Sequence, residues 1–191
     1  MFLSPKKITI LIIAFLSMGV VSLFFVSFES EQNVIVEASS HKDSYSVGEN
    51  IKIDITLTNL GDDSVCLSQN AQGNIKFLSF TRDGEVVEQR TVHSEFLEAL
   101  SELVKADLEE VAPGDNMTID IKSSNDPGLG SETLHTSQVD GIAATTTFYS
   151  IEEPGNYEVI VAYEYPGEPS DTCPNVFEGE TNTAIVEFMV N

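Results

Sequence analysis

"YSVGENIKIDITLTNLGDDSVCL", Tyr45 to Leu67, is the stretch on which the fold class turns. Ile51, Ile53, Ile55 and Leu57 fall on one face of an extended strand, and Lys52, Asp54, Thr56 and Thr58 fall on the other. Successive side chains of a strand point to opposite faces, so the run describes a sheet with one dry face and one wet face. Gly48 ahead of it and Asn59, Gly61, Asp62 and Asp63 behind it are turn residues that end the pairing. This pattern suits an antiparallel sandwich, because strands of parallel sheets tend to be apolar on both faces.

The same rhythm recurs along the chain. Val34, Val36 and Ala38 alternate in a first strand, and Met117, Ile119 and Ile121 alternate after the turn "APGDN". Ile75–Thr81 and Gly84–Gln89 flank Asp83-Gly84, a dipeptide suited to the two positive φ angles of a type I′ hairpin. Thr145–Tyr149 reads as a weaker strand. Tyr157, Val159, Val161 and Tyr163 form a strong one, and Ala184, Val186, Phe188 and Val190 close the chain. Ser123 to Ala144, rich in Gly, Ser and Asp, is expected to be a long surface loop.

One segment breaks the period of two. In "SEFLEALSELVKADLEEV", Phe96, Leu97, Leu100, Leu103, Val104 and Leu108 recur at three- and four-residue steps. Ser94 can cap the start, and Glu95 and Glu98 favour the positive end of a helix dipole. An amphipathic helix from about Glu95 to Glu109 is expected. Its plain role is to cover a sheet edge or one end of the sandwich, and its functional role would be a partner-binding face.

Residues 1–28 differ from the rest. Lys6 and Lys7 precede Ile8 to Phe28, an uncharged run of 21 residues, against the roughly 20 apolar residues that cross a bilayer as a helix. A cleavable signal peptide is the rival reading, but its apolar core is shorter, and "VSFESEQ" is a poor cleavage site. The expectation is a single-pass N-terminal transmembrane helix at 1–28, a short linker at 29–33 and an ectodomain at 34–191. The basic flank keeps the N-terminus cytoplasmic and the C-terminal domain extracytoplasmic.

All 31 Asp and Glu residues lie beyond residue 28, against seven of the nine Lys and Arg, a balance of −24. Such a surface repels phosphate backbones, so no nucleic-acid partner is expected. Solubility is the plain reading of the charge, and binding of cations or of a basic partner is the sharper one. Cys66 and Cys173 are the two cysteines, and an oxidising compartment makes a Cys66–Cys173 disulfide the default. Two unpaired buried thiols are the alternative.

No motif for chemistry stands out. His41, His93 and His135 are scattered, so no metal ligand set is expected, and no Gly-x-Ser-x-Gly elbow or phosphate-binding loop occurs. Neither a catalytic residue nor a cofactor is anticipated. Asn116-Met117-Thr118 is a glycosylation acceptor pattern.

"YSVGENIKIDITLTNLGDDSV", "FTRDGEVVE", "VAPGDNMTIDI", "EEPGNYEVIVAYEY" and "FEGETNTAIVEFMV", taken in order, resemble a non-catalytic immunoglobulin-like module of secreted proteins. The order is similar to the amino-terminal segment of deuterolysin-like and lysine-specific metalloendopeptidases, and more distantly to the bacterial intracellular proteinase inhibitor family. No zinc-ligand motif is present, so no catalytic residue carries over. The resemblance implies a Greek-key sandwich of about seven strands, with Tyr157 after Pro154-Gly155 a candidate tyrosine-corner residue.

The expected fold is therefore an all-β, immunoglobulin-like antiparallel sandwich with one inserted amphipathic helix, preceded by the transmembrane helix. The expected function is a membrane-tethered binding or accessory module for a protein or envelope component, not an enzyme. An inhibitor or accessory partner of a secreted protease is the alternative.

Overall fold

Alternation at Ile51–Leu57 becomes a strand at the centre of a three-stranded sheet, and its apolar side chains are fully buried. The computed structural model describes residues 33–95, 105, 107–128, 130–140 and 143–191. The chain divides into two units, Met1–Glu31 and Gln32–Asn191, and the described residues belong to the second.

In chain order the strands are β1 (Val34–Ser40), β2 (Ser44–Tyr45), β3 (Lys52–Asn59), β4 (Val65–Ser68), β5 (Ile75–Arg82), β6 (Glu85–Val86) and β7 (Gln89–Glu95). They continue as β8 (Leu108–Val111), β9 (Asn116–Lys122), β10 (Ser124–Asp126), β11 (Ser131–Asp140), β12 (Ala143–Ser150), β13 (Gly155–Tyr163) and β14 (Ala184–Val190).

One sheet has the order β1-β3-β9 and the sheet facing it the order β2-β14-β13-β5-β6. Val34, Val36, Ile53, Ile55, Leu57, Met117, Ile119 and Ile121 from the first meet Phe77, Phe80, Tyr157, Val159, Val161, Val186 and Phe188 from the second in one buried cluster. Each such side chain contributes about 1.5–3 kcal/mol by leaving water. Lettered in the immunoglobulin manner, the sheets are A-B-E and A′-G-F-C-C′, with β2 joining β14 in parallel register. The Tyr157 hydroxyl donates to the Glu153 carbonyl at 2.7 Å, the bond that defines a tyrosine corner. The class is an immunoglobulin-like sandwich.

Asp83 and Gly84 both have positive φ, 50° and 86°, as a type I′ turn requires, and they join β5 to a β6 of only two residues. β7 then leaves for a third sheet, of order β10-β11-β12-β7. Its β11–β12 hairpin pairs Thr133–Asp140 with Ser150–Ala143. The expectation of a long loop over Ser123–Ala144 is thus corrected: most of it is ladder. Its strands show little hydrophobic period because, beside Leu134 and Tyr149, much of what they bury is hydroxyl. Thr133, Thr136 and Ser137 are all buried, and Ser137 Oγ lies 2.9 Å from Thr146 Oγ1.

The inserted helix is corrected as well. Glu95, its expected start, ends β7 opposite Ala143, and Leu108–Val111, its expected end, is a strand paired with β4. Backbone pairing with distant strands outweighs the local helical pattern at both ends. Residues 96–104 and 106 lie outside the described residues. Every element with described bounds is a strand, Lys105 being the one described residue with helical backbone, and no helix among the described residues is long and apolar enough to cross a membrane. Among the described residues the fold class is all-β, with neither the inserted helix nor the transmembrane helix of the expectation. The anchor expected at residues 1–28, and the linker through residue 32, lie outside the described residues.

Candidate binding surface

Asn59 sets the geometry at one end of the sandwich. It is buried, and its Nδ2 donates to the carbonyls of Asp63 and Val111, at 2.9 and 3.0 Å, while its Oδ1 accepts the Gly61 N–H at 2.9 Å. Its backbone N–H donates to the Asp115 carbonyl at 3.0 Å, and its carbonyl accepts the Gly114 N–H at 2.8 Å. One side chain therefore ties the end of β3 to β8 and to the turn that starts β9. Gly114, at φ +80°, supplies the left-handed backbone of that turn.

Between β8 and β9 this arrangement leaves a cleft of about 460 Å³, lined by Gln69, Glu109, Glu110, Val111 and residues 115–118. Its walls include both core-facing Met117 and outward-facing Asn116 and Thr118, so it runs along the margin of β9 and not over one face. β9 lies at the margin of its sheet, with β3 on one side and, among the described residues, no strand on the other. Glu109, Glu110 and Asp115 make the cleft acidic.

Cys66 and Cys173 form the expected disulfide, with Cα atoms 5.9 Å apart. Cys66 sits in β4, and the segment after Cys173 is laid along it. Cys66 N–H donates to Asn175 O at 2.7 Å, and Phe177 N–H donates to Cys66 O at 3.1 Å. Beneath this seam the Tyr163 hydroxyl accepts the Ser68 N–H at 2.8 Å, and burial pushes its pKa far up. The disulfide thus holds β4, and through β4 it holds β8, the far wall of the cleft. Asn116 is the first residue of β9, with its side chain exposed on the cleft wall. The two sequence-level site features, the disulfide and the acceptor pattern, lie at strands that frame one cleft.

The histidines are not brought together. His41 Nε2 meets Asp54 at 2.7 Å, His93 Nδ1 lies 3.0 Å from Thr145 Oγ1, and the His135 ring leans against Phe148 at a tilt of 35°, with centroids 5.4 Å apart. Among the described residues, no three His, Cys, Asp or Glu side chains are placed to hold a metal ion. A second acidic cleft of about 560 Å³ includes Asp43, Asp83, Glu158 and Glu187. Asp83 is already engaged there: its Oδ1 accepts from Asn156 N and Nδ2, at 3.1 and 3.0 Å, which lowers its pKa.

Sequence reading missed the Arg90–Asp126 pair. Arg90 Nη2 reaches both Asp126 oxygens, at 2.7 and 2.6 Å, and its Nε reaches Oδ2 at 3.0 Å. The guanidinium lies over the Phe148 ring, 5.1 Å from its centroid. This cluster knits the edges of the third sheet together. It also missed the margin of β9, because a period of two identifies a strand's faces and not its neighbours.

No family model matches the chain and no curated protein matches it. Among solved structures, a CARDB domain from Pyrococcus furiosus is 12% identical, over 83% of this chain and 94% of that one, with a TM-score of 0.35. AvmM, which catalyses macrocyclization in alchivemycin A biosynthesis, is 12% identical over 84% and 90%, with a TM-score of 0.34. A PapD-like domain of human CEP192 is 11% identical over 92% and 94%, with a TM-score of 0.25. Likeness at that level carries no argument, and the immunoglobulin-like assignment rests on strand order and the tyrosine corner. The resemblance to metalloendopeptidase segments and proteinase inhibitors finds no support in these comparisons.

Proposed function

We propose that this chain is a non-catalytic, extracytoplasmic binding or accessory domain, held at a membrane through residues 8–28, that engages a protein or envelope component at the margin of β9. The observation that carries the reading is the acidic cleft along a sheet margin that has no strand partner among the described residues. Unpaired strand margins are templates for association. The Cys66–Cys173 disulfide supports an oxidising compartment, and Lys6 and Lys7 before the uncharged run support the tether.

Site-specific photo-crosslinking of the full chain in cell envelopes tests the reading. A photoreactive residue at Thr118 should yield a discrete adduct that a probe at Glu187, on the opposite sheet, does not. The partner identified from that adduct should rebind the purified chain. Equal labelling from both positions, or none from Thr118, would refute the proposal. A partner that proves to be a secreted protease would favour the inhibitor or accessory reading that the sequence resemblance carries.

A further inference from the structure

We infer that the margin of β9 takes up an extended peptide segment rich in Lys or Arg, which pairs with it as an added strand. This inference rests on the reading of that margin as the binding surface and names its occupant. The register at both ends of β9 shows which backbone groups are offered. Asn59 N–H donates to Asp115 O at 3.0 Å, and Ser123 N–H donates to Ile51 O at 2.9 Å. Hydrogen-bonded pairs in an antiparallel ladder recur at every second residue, so residues 117, 119 and 121 turn their N–H and C=O groups toward β3, flanked by the Asp115 carbonyl and the Ser123 N–H. Asn116, Thr118, Asp120 and Lys122 turn theirs the other way. Across about 20 Å of strand these present four donors and four acceptors in regular spacing.

The opposite seam of the sandwich shows what a sealed margin looks like in this same fold. Val36, on β1, would present its backbone outward, but the Asn182 carboxamide accepts its N–H at 2.8 Å and donates to its carbonyl at 3.1 Å. On β14, Met189 N–H is taken by Asp43 O at 2.9 Å, and β2 pairs beside it. β9 has no such plug among the described residues. It carries no Pro and no register shift against β3, so its ladder groups stay regular, and the exposed charges of Asp120 and Lys122 are the devices on it that discourage indiscriminate pairing.

Charge selects the occupant. Glu109, Glu110 and Asp115 line the cleft and Asp120 lies farther along the strand, with Lys122 at its end. An acidic segment would be repelled, and a basic one attracted. A second copy of this chain, at a formal −22, is a poor occupant on the same ground.

The test uses the full chain in detergent and an eight-residue peptide, acetyl-Val-Lys-Thr-Lys-Val-Lys-Thr-Val-amide, with binding followed by calorimetry. Two control peptides carry Glu in place of Lys, or N-methyl groups on alternate amides. Both controls should bind about tenfold more weakly or worse, since the first loses the charge match and the second the ladder bonds. Thr118→Pro removes one outward donor that no described partner uses, and Pro is tolerated at such positions. It should weaken the Lys peptide about tenfold while leaving the unfolding midpoint in place. A Glu109→Lys/Glu110→Lys double variant should abolish the preference for the Lys peptide over the Glu peptide.

Equal binding of the N-methylated peptide, or full affinity in Thr118→Pro, would overturn strand addition. Self-association of the chain that Thr118→Pro abolishes would overturn it in favour of a second copy. A specific crosslink from Thr118 in envelopes, with no binding of the Lys peptide, would overturn this inference and leave the broader binding reading standing.

Discussion

Arg90 and Asp126 stand 36 residues apart in the chain and meet in a two-pronged ion pair, with the Asp126 side chain only 4% exposed. Arg90's hydrogen bonds hold the Asp126 carboxyl below the usual carboxylate range, against the opposing effect of burial and with help from the Gly128 N–H at 2.8 Å. Nearby, burial lowers the pKa of His135, and Asp126 opposes that shift.

Both shifts predict loss of stability on acidification, in separate windows. A depressed His pKa means the unfolded chain binds the proton first, so stability falls as pH drops below about 6.5 and levels off below the folded value. A depressed Asp pKa contributes stability that is present above about 3.8 and is lost as pH falls through the folded value. Urea unfolding across pH should therefore show His135→Gln flattening the first decline and Asp126→Asn flattening the second. Variants with the same pH profile as the parent would show that neither group carries the linkage.

The Tyr157–Glu153 bond gives a second prediction. Tyr157 is buried in the core, stacked on Phe188 with centroids 5.3 Å apart, and its hydroxyl alone reaches out to the Glu153 carbonyl. Tyr157→Phe keeps the packing and removes that bond. Denaturant unfolding should show a loss of about 0.5–1.5 kcal/mol with an unchanged slope. No measurable loss would mean the corner is ornamental to stability.

A third prediction concerns the disulfide. Its ends are 107 residues apart, and chain-entropy estimates for closing so long a loop give about 4–5 kcal/mol before strain is subtracted. That is comparable with the lower end of typical total stability, about 5–15 kcal/mol. Thiol titration of the denatured, unreduced chain should find no free cysteine. The Cys66→Ser/Cys173→Ser variant should lose several kcal/mol, and amides of the Cys173–Phe177 segment should exchange faster than in the parent. Two free thiols in the parent would contradict the pairing.

Those residues also mark what could be read from sequence. Ile51–Leu57, Tyr157–Tyr163 and Ala184–Val190 declare themselves because each buries hydrocarbon on one face and wets the other. Asp83-Gly84 declares a hairpin because few residues tolerate two positive φ angles in succession. Thr133, Thr136 and Ser137 do not declare themselves, because hydroxyls buried by hydrogen bonding look like loop residues when only hydropathy is counted. Leu108–Val111 misleads for another reason: Leu-Glu-Glu-Val fits the end of a helix as well as a short strand, and its ladder with Val65–Ser68 decides between them. The pairing of Arg90 with Asp126, and the margin position of β9, depend on which distant strands become neighbours. Local alternation carries no record of that.

Residue-resolved amide exchange in the full chain without added peptide tests the open margin of β9 most directly. Met117, Ile119 and Ile121, whose N–H groups face β3, should exchange slowly, while Thr118, Asp120 and Lys122 should exchange near the rate of an unfolded chain. Uniform protection across residues 117–122 would show that something already pairs with this margin, and would contradict its role as an open binding site.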